Sequence, residues 1–248
     1  PARLLRERQQ ALHSVTAFSA TLSPPDWMCS LLGLEDEAVC RRLDSPFAPH
    51  QLQVQLALEV DTRYRQREAS LPRLAAQVTR CLQRQPGNCI VYFPSYRYLE
   101  DCVCQLGALP GRHCWQQQPD QGHRAREELL PLLENRRDVA AFCILGGVFG
   151  EGVDLPGERL ASVVVVGVGL PQVNRDRELL RQWYQQRQGN GFEYAYLYPG
   201  MQKVAQALGR VVRGSSDRGT ALLVDRRYGE PGYGNLLPPW WQYLEAQS

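Results

Sequence analysis

The sequence predicts an α/β domain with a doubly wound, mainly parallel sheet and helices on both of its faces. Three observations carry this. Four apolar runs, Cys89–Phe93, Val139–Leu145, Ser162–Val168 and Thr220–Val224, are continuous rather than alternating, as strands covered on both faces are. Helix-like segments separate them, at about 96–108, 124–135, 174–188 and 201–213, which is the alternation of βαβ units. The 248 residues, 44% of them hydrophobic, suffice for one large α/β domain with a buried core.

The remaining elements read in chain order. Residues 12–18, LHSVTAF, predict a short strand, followed by the turn Ser19-Ala20-Thr21. Residues 26–34 predict a short helix ending at Gly33. Residues 52–60, LQVQLALEV, alternate apolar and polar, the pattern of a half-exposed strand. Residues 71–85 predict a helix with Leu71, Leu74, Val78 and Leu82 on one face. The tail Leu237-Pro-Pro-Trp-Trp241 is too apolar for a free linker and should pack back on the domain. No internal repeat or low-complexity tract interrupts the pattern. Loops following the strand C-termini should gather along one edge, where α/β folds bind ligands.

Composition narrows the function classes. A net charge of +2 is not that of a generally basic nucleic-acid coat. Lys203 is the only lysine, and arginine carries nearly all the positive charge. That bias fits a GC-rich genome, and arginine also suits phosphate recognition through its planar fork. None of the eight cysteines forms a C-x-x-C pair, and several lie inside apolar runs, which favours buried free thiols in a reducing compartment. No apolar run approaches the roughly 20 residues that span a bilayer, so a membrane is not expected as a partner. The start PARLLRERQQ has no apolar signal region and no Met, and reads as a cut from a longer protein.

Four segments carry candidate chemistry. Gln206, Arg210 and Arg213 fall at i, i+4 and i+7, one stripe of a helix, with Val204, Leu208 and Val211 on another. A mid-helix Gly209 costs roughly 1 kcal/mol against alanine, which suggests a close approach there. Two readings stand: an arginine pair that stabilises a triphosphate being cleaved, or a surface ion-pair face. The run GGVFGEGVDLP (146–156) follows a buried strand, and its glycines can expose backbone N–H groups to an anion. Glu151, Gly152 and Asp154 lie in it, either as ligands or in a plain tight connection. It lacks the Gly-Lys-Ser/Thr ending of a Walker A loop. Ser95 is a natural N-cap for a helix beginning at Tyr96, where a backbone phosphate and a stacked base could be held, or simply a cap with Tyr96 in the core. Thr21, in the Ser19-Ala20-Thr21 turn, means little alone.

Together and in this order, the segments resemble the superfamily 2 DNA helicases of the XPD/DinG type. Ser19-Ala20-Thr21 resembles motif III, Leu43-Asp44-Ser45-Pro46-Phe47 the segment after it, and CIVYFPSY (89–96) motif IV. GGVFGEGVDLPGERL (146–160) resembles motif V, and QALGRVVRGSSDRGTALLVDRRY (206–228) motif VI with its trailing strand. The resemblance implies a RecA-like second motor domain over residues 24–248, with residues 1–23 closing the first motor domain. It implies that Gln206, Arg210 and Arg213 face the nucleotide and that Glu151, Gly152 and Asp154 lie between nucleotide and DNA. Ser95 and Tyr96 would touch single-stranded DNA, and Thr21 would couple hydrolysis to movement. ATP and Mg²⁺ would be shared with the first motor domain, which in this family holds the lysine loop and the acidic box; an iron–sulfur cluster, where present, lies there too. Movement would be 5′-to-3′, in DNA repair or replication stress, in a bacterial cytoplasm at the nucleoid.

The chain alone should not hydrolyse ATP. The alternative is a non-catalytic nucleic-acid or protein docking module on the same fold. A different enzyme finds little support: Asp120, Glu127 and Glu128 lack metal-ligand spacing, and His113 and His123 have no evident partner.

Overall fold

The computed structural model describes residues 2–34, 38–149 and 159–246. Its centre is a seven-stranded sheet, every ladder of which is parallel. The strands are β1 (Leu52–Ala57), β2 (Cys89–Phe93), β3 (His113–Gln116), β4 (Val139–Ile144), β5 (Ser162–Val166), β6 (Gly219–Val224) and β7 (Gln242–Glu245), in spatial order β3-β4-β2-β5-β6-β1-β7. Interleaved are α3 (Arg67–Arg84), α4 (Tyr96–Val103), α5 (Arg124–Asn135), α6 (Arg175–Gln188), α7 (Tyr198–Leu208) and the short α8 (Pro231–Gly234). Before the sheet come α1 (Ala2–Gln9) and α2 (Pro25–Leu32).

Both faces of the sheet are covered, which is why the central strands are apolar throughout. In β2, Ile90 and Tyr92 point to one core and Cys89, Val91 and Phe93 to the other. In β5, Val163 and Val165 share the first core, and Val164 and Val166 the second. The first core is closed by α5 through Leu129 and Leu133, and by α7 through Met201, Val204 and Leu208. The second is closed by α3 through Leu74 and Val78, and by α4 through Tyr98 and Leu99. Asn88, fully buried at the start of β2, binds these layers together. Its Nδ2 donates to the carbonyls of Leu133, Arg136 and Arg159 at 2.8–2.9 Å, and its Oδ1 accepts the Val139 N–H at 2.9 Å.

Local signals set several boundaries as expected. Gly33, at φ 71°, ends α2 in the left-handed conformation that glycine adopts without a Cβ penalty. α6 begins close to where the sequence pattern placed it, and Asn174, which the sequence reading did not single out, caps it by accepting the Arg177 N–H. Ser95 caps α4 by accepting the Tyr98 N–H at 3.4 Å. The Leu237 and Trp241 side chains fold back into the first core.

Other expectations are corrected. Residues 12–18 form no strand: they are exposed and take no place in the sheet. A strand needs a neighbour to accept its backbone donors, and β7, unforeseen, takes the place beside β1. β1 is an interior strand between β6 and β7, and it keeps the half-exposed pattern expected of it, with Gln53 exposed between buried Leu52 and Val54. The short edge strand β3 was also unforeseen. α4 stops at Val103 rather than 108, and α7 starts earlier, at Tyr198, after a π-helical turn at Glu193–Leu197.

Candidate functional site

The residues marked by the sequence fall at two places. The first is the end of α7. The helix stops at Leu208, so Gln206, Arg210 and Arg213 do not share a helical stripe to the end. Gly209 donates to Ala205 O, and the next amides reach back only three residues, Arg210 to Ala207 O and Val211 to Leu208 O. Beyond them, the Asp217 carboxylate accepts the Arg213 and Gly214 N–H groups at 2.9 and 2.8 Å. A carboxylate that captures two successive amides offers the backbone an alternative to the helix. The unwinding lets the adjacent Val211 and Val212 both reach the core. Gly209 is not in mid-helix either. A Cβ there would meet only Ala205 O at 3.5 Å and Gln206 O at 3.8 Å, so among the described residues nothing demands its smallness.

The loop after α7 is held by a residue the sequence did not flag. The Nε2 of Gln51, 5% exposed, donates to the carbonyls of Gly214, Ser215 and Asp217 at 3.1, 3.2 and 2.8 Å. Its Oε1 accepts the Ala48 N–H. Arg210 is buried, whereas Gln206 and Arg213 are exposed. Burial pushes the nearby Tyr92 phenol well above its ordinary pKa, and the Arg210 charge pulls against that. One groove is lined by Gln206, Arg210 and Arg213 together with Ser19 and Thr21. The turn is tied to α7 by Gln202, whose Nε2 donates to Thr21 O at 2.8 Å.

The second place is the opposite edge of the sheet. Ser95 and Tyr96 follow the C-terminal end of β2, whereas the Arg213 loop leads into the N-terminal end of β6. A strand of five or six residues separates these edges by roughly 17–20 Å. The expectation that all ligand loops gather along one edge therefore holds only for the second group. Gln117, also unflagged, donates from Nε2 to the Tyr96 hydroxyl at 3.1 Å and accepts the Ile144 N–H at 2.9 Å. Beyond Ile144 the chain turns at Gly146, φ 75°, against the side chain of Lys203. Burial, then Arg177, lowers the Lys203 pKa. Glu151, Gly152 and Asp154 lie outside the described residues.

A buried ion pair stands at the end of β6. Asp225 accepts hydrogen bonds from Arg227 N, Nε and Nη2, each 2.8 Å, and from the Thr62 hydroxyl. Burial alone would raise the Asp225 pKa; Arg227 and Thr62 overcome it and hold the carboxyl below its ordinary value. Arg67 donates to Thr62 O and lies 4.6 Å over the Tyr98 ring. No local pattern marks this cluster, because Thr62 and Asp225 are 163 residues apart. Among the described residues no group of three His, Cys, Asp or Glu side chains is placed to hold a metal ion. Cys89, Cys102 and Cys143 are buried free thiols, whereas Cys40, Cys104 and Cys114 are exposed.

A family model described as "Helicase C-terminal domain" matches residues 78–243. The chain is 30% identical over 174 residues to the XPD helicase subunit of the general transcription and DNA repair factor IIH of Schizosaccharomyces pombe, covering 63% of this chain and 22% of that protein. It is 26% identical over 214 residues to a probable ATP-dependent helicase of Methanocaldococcus jannaschii, covering 79% of this chain and 32% of the other. It is 24% identical over 258 residues to a regulator of telomere elongation helicase homologue of Drosophila grimshawi, covering 92% and 26%. The chain thus spans less than a third of each of these relatives. A solved XPD helicase superposes with a TM-score of 0.71 at 19% identity, over 92% of this chain and 42% of that one. An XPD structure in the apo form gives 0.70 at 20% identity, over 92% and 47%. These two likenesses show the RecA-like fold.

Proposed function

The chain belongs to the helicase C-terminal domain family, of the XPD type, and from that premise we propose that it is the second motor domain of an ATP-dependent DNA helicase. One observation carries the reading. Gln206, Arg210 and Arg213 line one groove with the Ser19–Thr21 turn, while Ser95 and Tyr96 stand at the opposite edge of the sheet. Nucleotide and DNA would then be served by the two ends of one rigid sheet.

The donors in the groove, two guanidinium groups and a carboxamide, suit phosphate oxygens. Cleavage of a triphosphate spreads charge over its equatorial oxygens, and positioned arginines stabilise that charge. Arg210, held by burial, has the more fixed position, and Arg213 reaches in from the loop that Gln51 pins. Mg²⁺ and the phosphate cradle belong, in this reading, to the first motor domain, whose end we assign to residues 1–23. Glu151, Gly152 and Asp154 are assigned to the boundary of nucleotide and DNA, and Thr21 to the coupling between them. Ser95 and Tyr96 are assigned to the single-stranded DNA track. Movement 5′-to-3′, a role in DNA repair and a cytoplasmic location rest on the family resemblance.

The test is Arg210→Ala in an enzyme carrying both motor domains. Turnover of ATP should fall by about 10³-fold or more, while single-stranded DNA affinity stays within about threefold, under 1 kcal/mol. Arg210→Lys, which keeps the charge but loses the fork, should remain strongly impaired. Near-normal turnover in both variants refutes the assignment.

A further inference from the structure

We propose that Gln117 is a positioning residue for Tyr96, anchoring its ring at the DNA-facing edge and tying it to the first residues of the glycine-rich loop. The inference rests on the assignment of that edge to single-stranded DNA.

Gln117 is 3% exposed and follows β3 directly. Its backbone cannot shift, because its own N–H continues the ladder to Phe142 O at 2.9 Å, one step past the Gln116–Phe142 pairing. Its amide can face only one way. The Ile144 N–H can only donate, so the Gln117 oxygen must accept it, which leaves the amide nitrogen for the Tyr96 hydroxyl. On the other side, a Cβ built at Gly147 would lie 3.8 Å from the same Nε2 and 3.3 Å from Ile144 O. The Leu145 N–H donates to Phe93 O, joining the ends of β2 and β4. One carboxamide therefore links the first residue of α4, the end of β4 and the start of the loop.

An exposed tyrosine swings freely at χ1 and χ2; one anchored at its hydroxyl presents its face in a fixed place. A fixed aromatic face can stack a base whatever its identity. The neighbouring Tyr98 and Phe93 are buried in the core and are not available for this.

The test measures binding of a fluorescein-labelled oligothymidylate to the chain at low salt, where phosphate contacts are strongest. Tyr96→Ala removes the ring and should weaken binding most. Gln117→Leu and Tyr96→Phe should each weaken it by roughly 3- to 10-fold, the worth of one hydrogen bond. Their combination should cost no more than either alone, because both cut the same link. Tyr96→Phe leaves the Ile144 bond intact, so its loss of binding is not a loss of fold. Gln117→Glu, whose carboxylate accepts from both the Ile144 N–H and the Tyr96 hydroxyl, should restore binding to within about twofold of wild type. Wild-type binding by Gln117→Leu together with weakened binding by Tyr96→Ala overturns this inference alone. Additive losses in the double variant, or no rescue by glutamate, overturn it too. Unchanged binding by Tyr96→Ala overturns the DNA assignment of this edge and the inference with it.

Discussion

Replacing Asp225 with alanine removes the acceptor of four hydrogen bonds at the buried end of β6. It leaves Arg227, a residue 8% exposed, without its carboxylate. Taking one partner from a buried ion pair costs roughly 3–5 kcal/mol, because the remaining charge stays out of water. Arg227 keeps a 3.3 Å contact to the Thr62 hydroxyl and a place 5.5 Å over the Tyr233 ring, so the lower end applies. A loss of about 3 kcal/mol moves the urea midpoint by about 1 M, at a slope of ~3 kcal/mol per M. The effect depends on pH. The folded-state pKa of Asp225 lies below its ordinary 3.8, so the stabilisation is fully present above that value and disappears as pH falls through the lowered one. Urea unfolding of wild type and Asp225→Ala should therefore differ by a constant amount from about pH 5 to 8 and converge in acid. A difference under about 1 kcal/mol at neutral pH, or one that persists undiminished in acid, would falsify the buried-pair account.

Gln51→Ala should lower stability by about 1–3 kcal/mol by orphaning three carbonyls of the Arg213 loop. In an enzyme with both motor domains it should reduce kcat more than it raises KM, and a pure KM effect would count against a role for the loop in turnover. Asn88→Leu keeps the branched shape but loses four hydrogen bonds. It should cost about 3 kcal/mol or more by calorimetry, and a melting temperature equal to wild type would contradict that. Alkylation by iodoacetamide at pH 8 should modify Cys40 and Cys104 rapidly in the folded chain, and Cys114, exposed but with its thiol pKa raised by partial burial, more slowly. It should spare Cys102, whose thiol is pushed up to about 12 by burial, and Cys143, raised well above its ordinary value for the same reason; mass mapping of the modified peptides reads this directly.

The sheet was legible because its central strands are buried on both sides and so are apolar without a break. β2 and β5 were placed to within two residues from that alone. β3 and β7 escaped notice because they are short edge strands, and HCWQ and QYLE carry no apolar run. The reverse error, a strand over 12–18, came from apolar residues that have no neighbouring strand. The site divides in the same way. The cap at Ser95 is a contact of three residues' reach and could be read from FPSY. Gln51 and Gln117 could not be read, since one acts on a loop 163 to 166 residues away and the other sits in a polar run of three glutamines.

By itself the sequence determined the layered α/β architecture, the helix ends at Gly33 and Ser95, and the motif order that marks a helicase motor. Hydrophobic periodicity and capping act over a few residues, so local order encodes them. Only the tertiary structure decided that α7 ends at Leu208, that Arg210 is buried while Arg213 is exposed, and that these stand across the sheet from Tyr96. Those outcomes depend on which distant donor meets which carbonyl, such as the Gln51 amide at the Arg213 loop, and the folded sheet alone brings such partners within hydrogen-bonding reach.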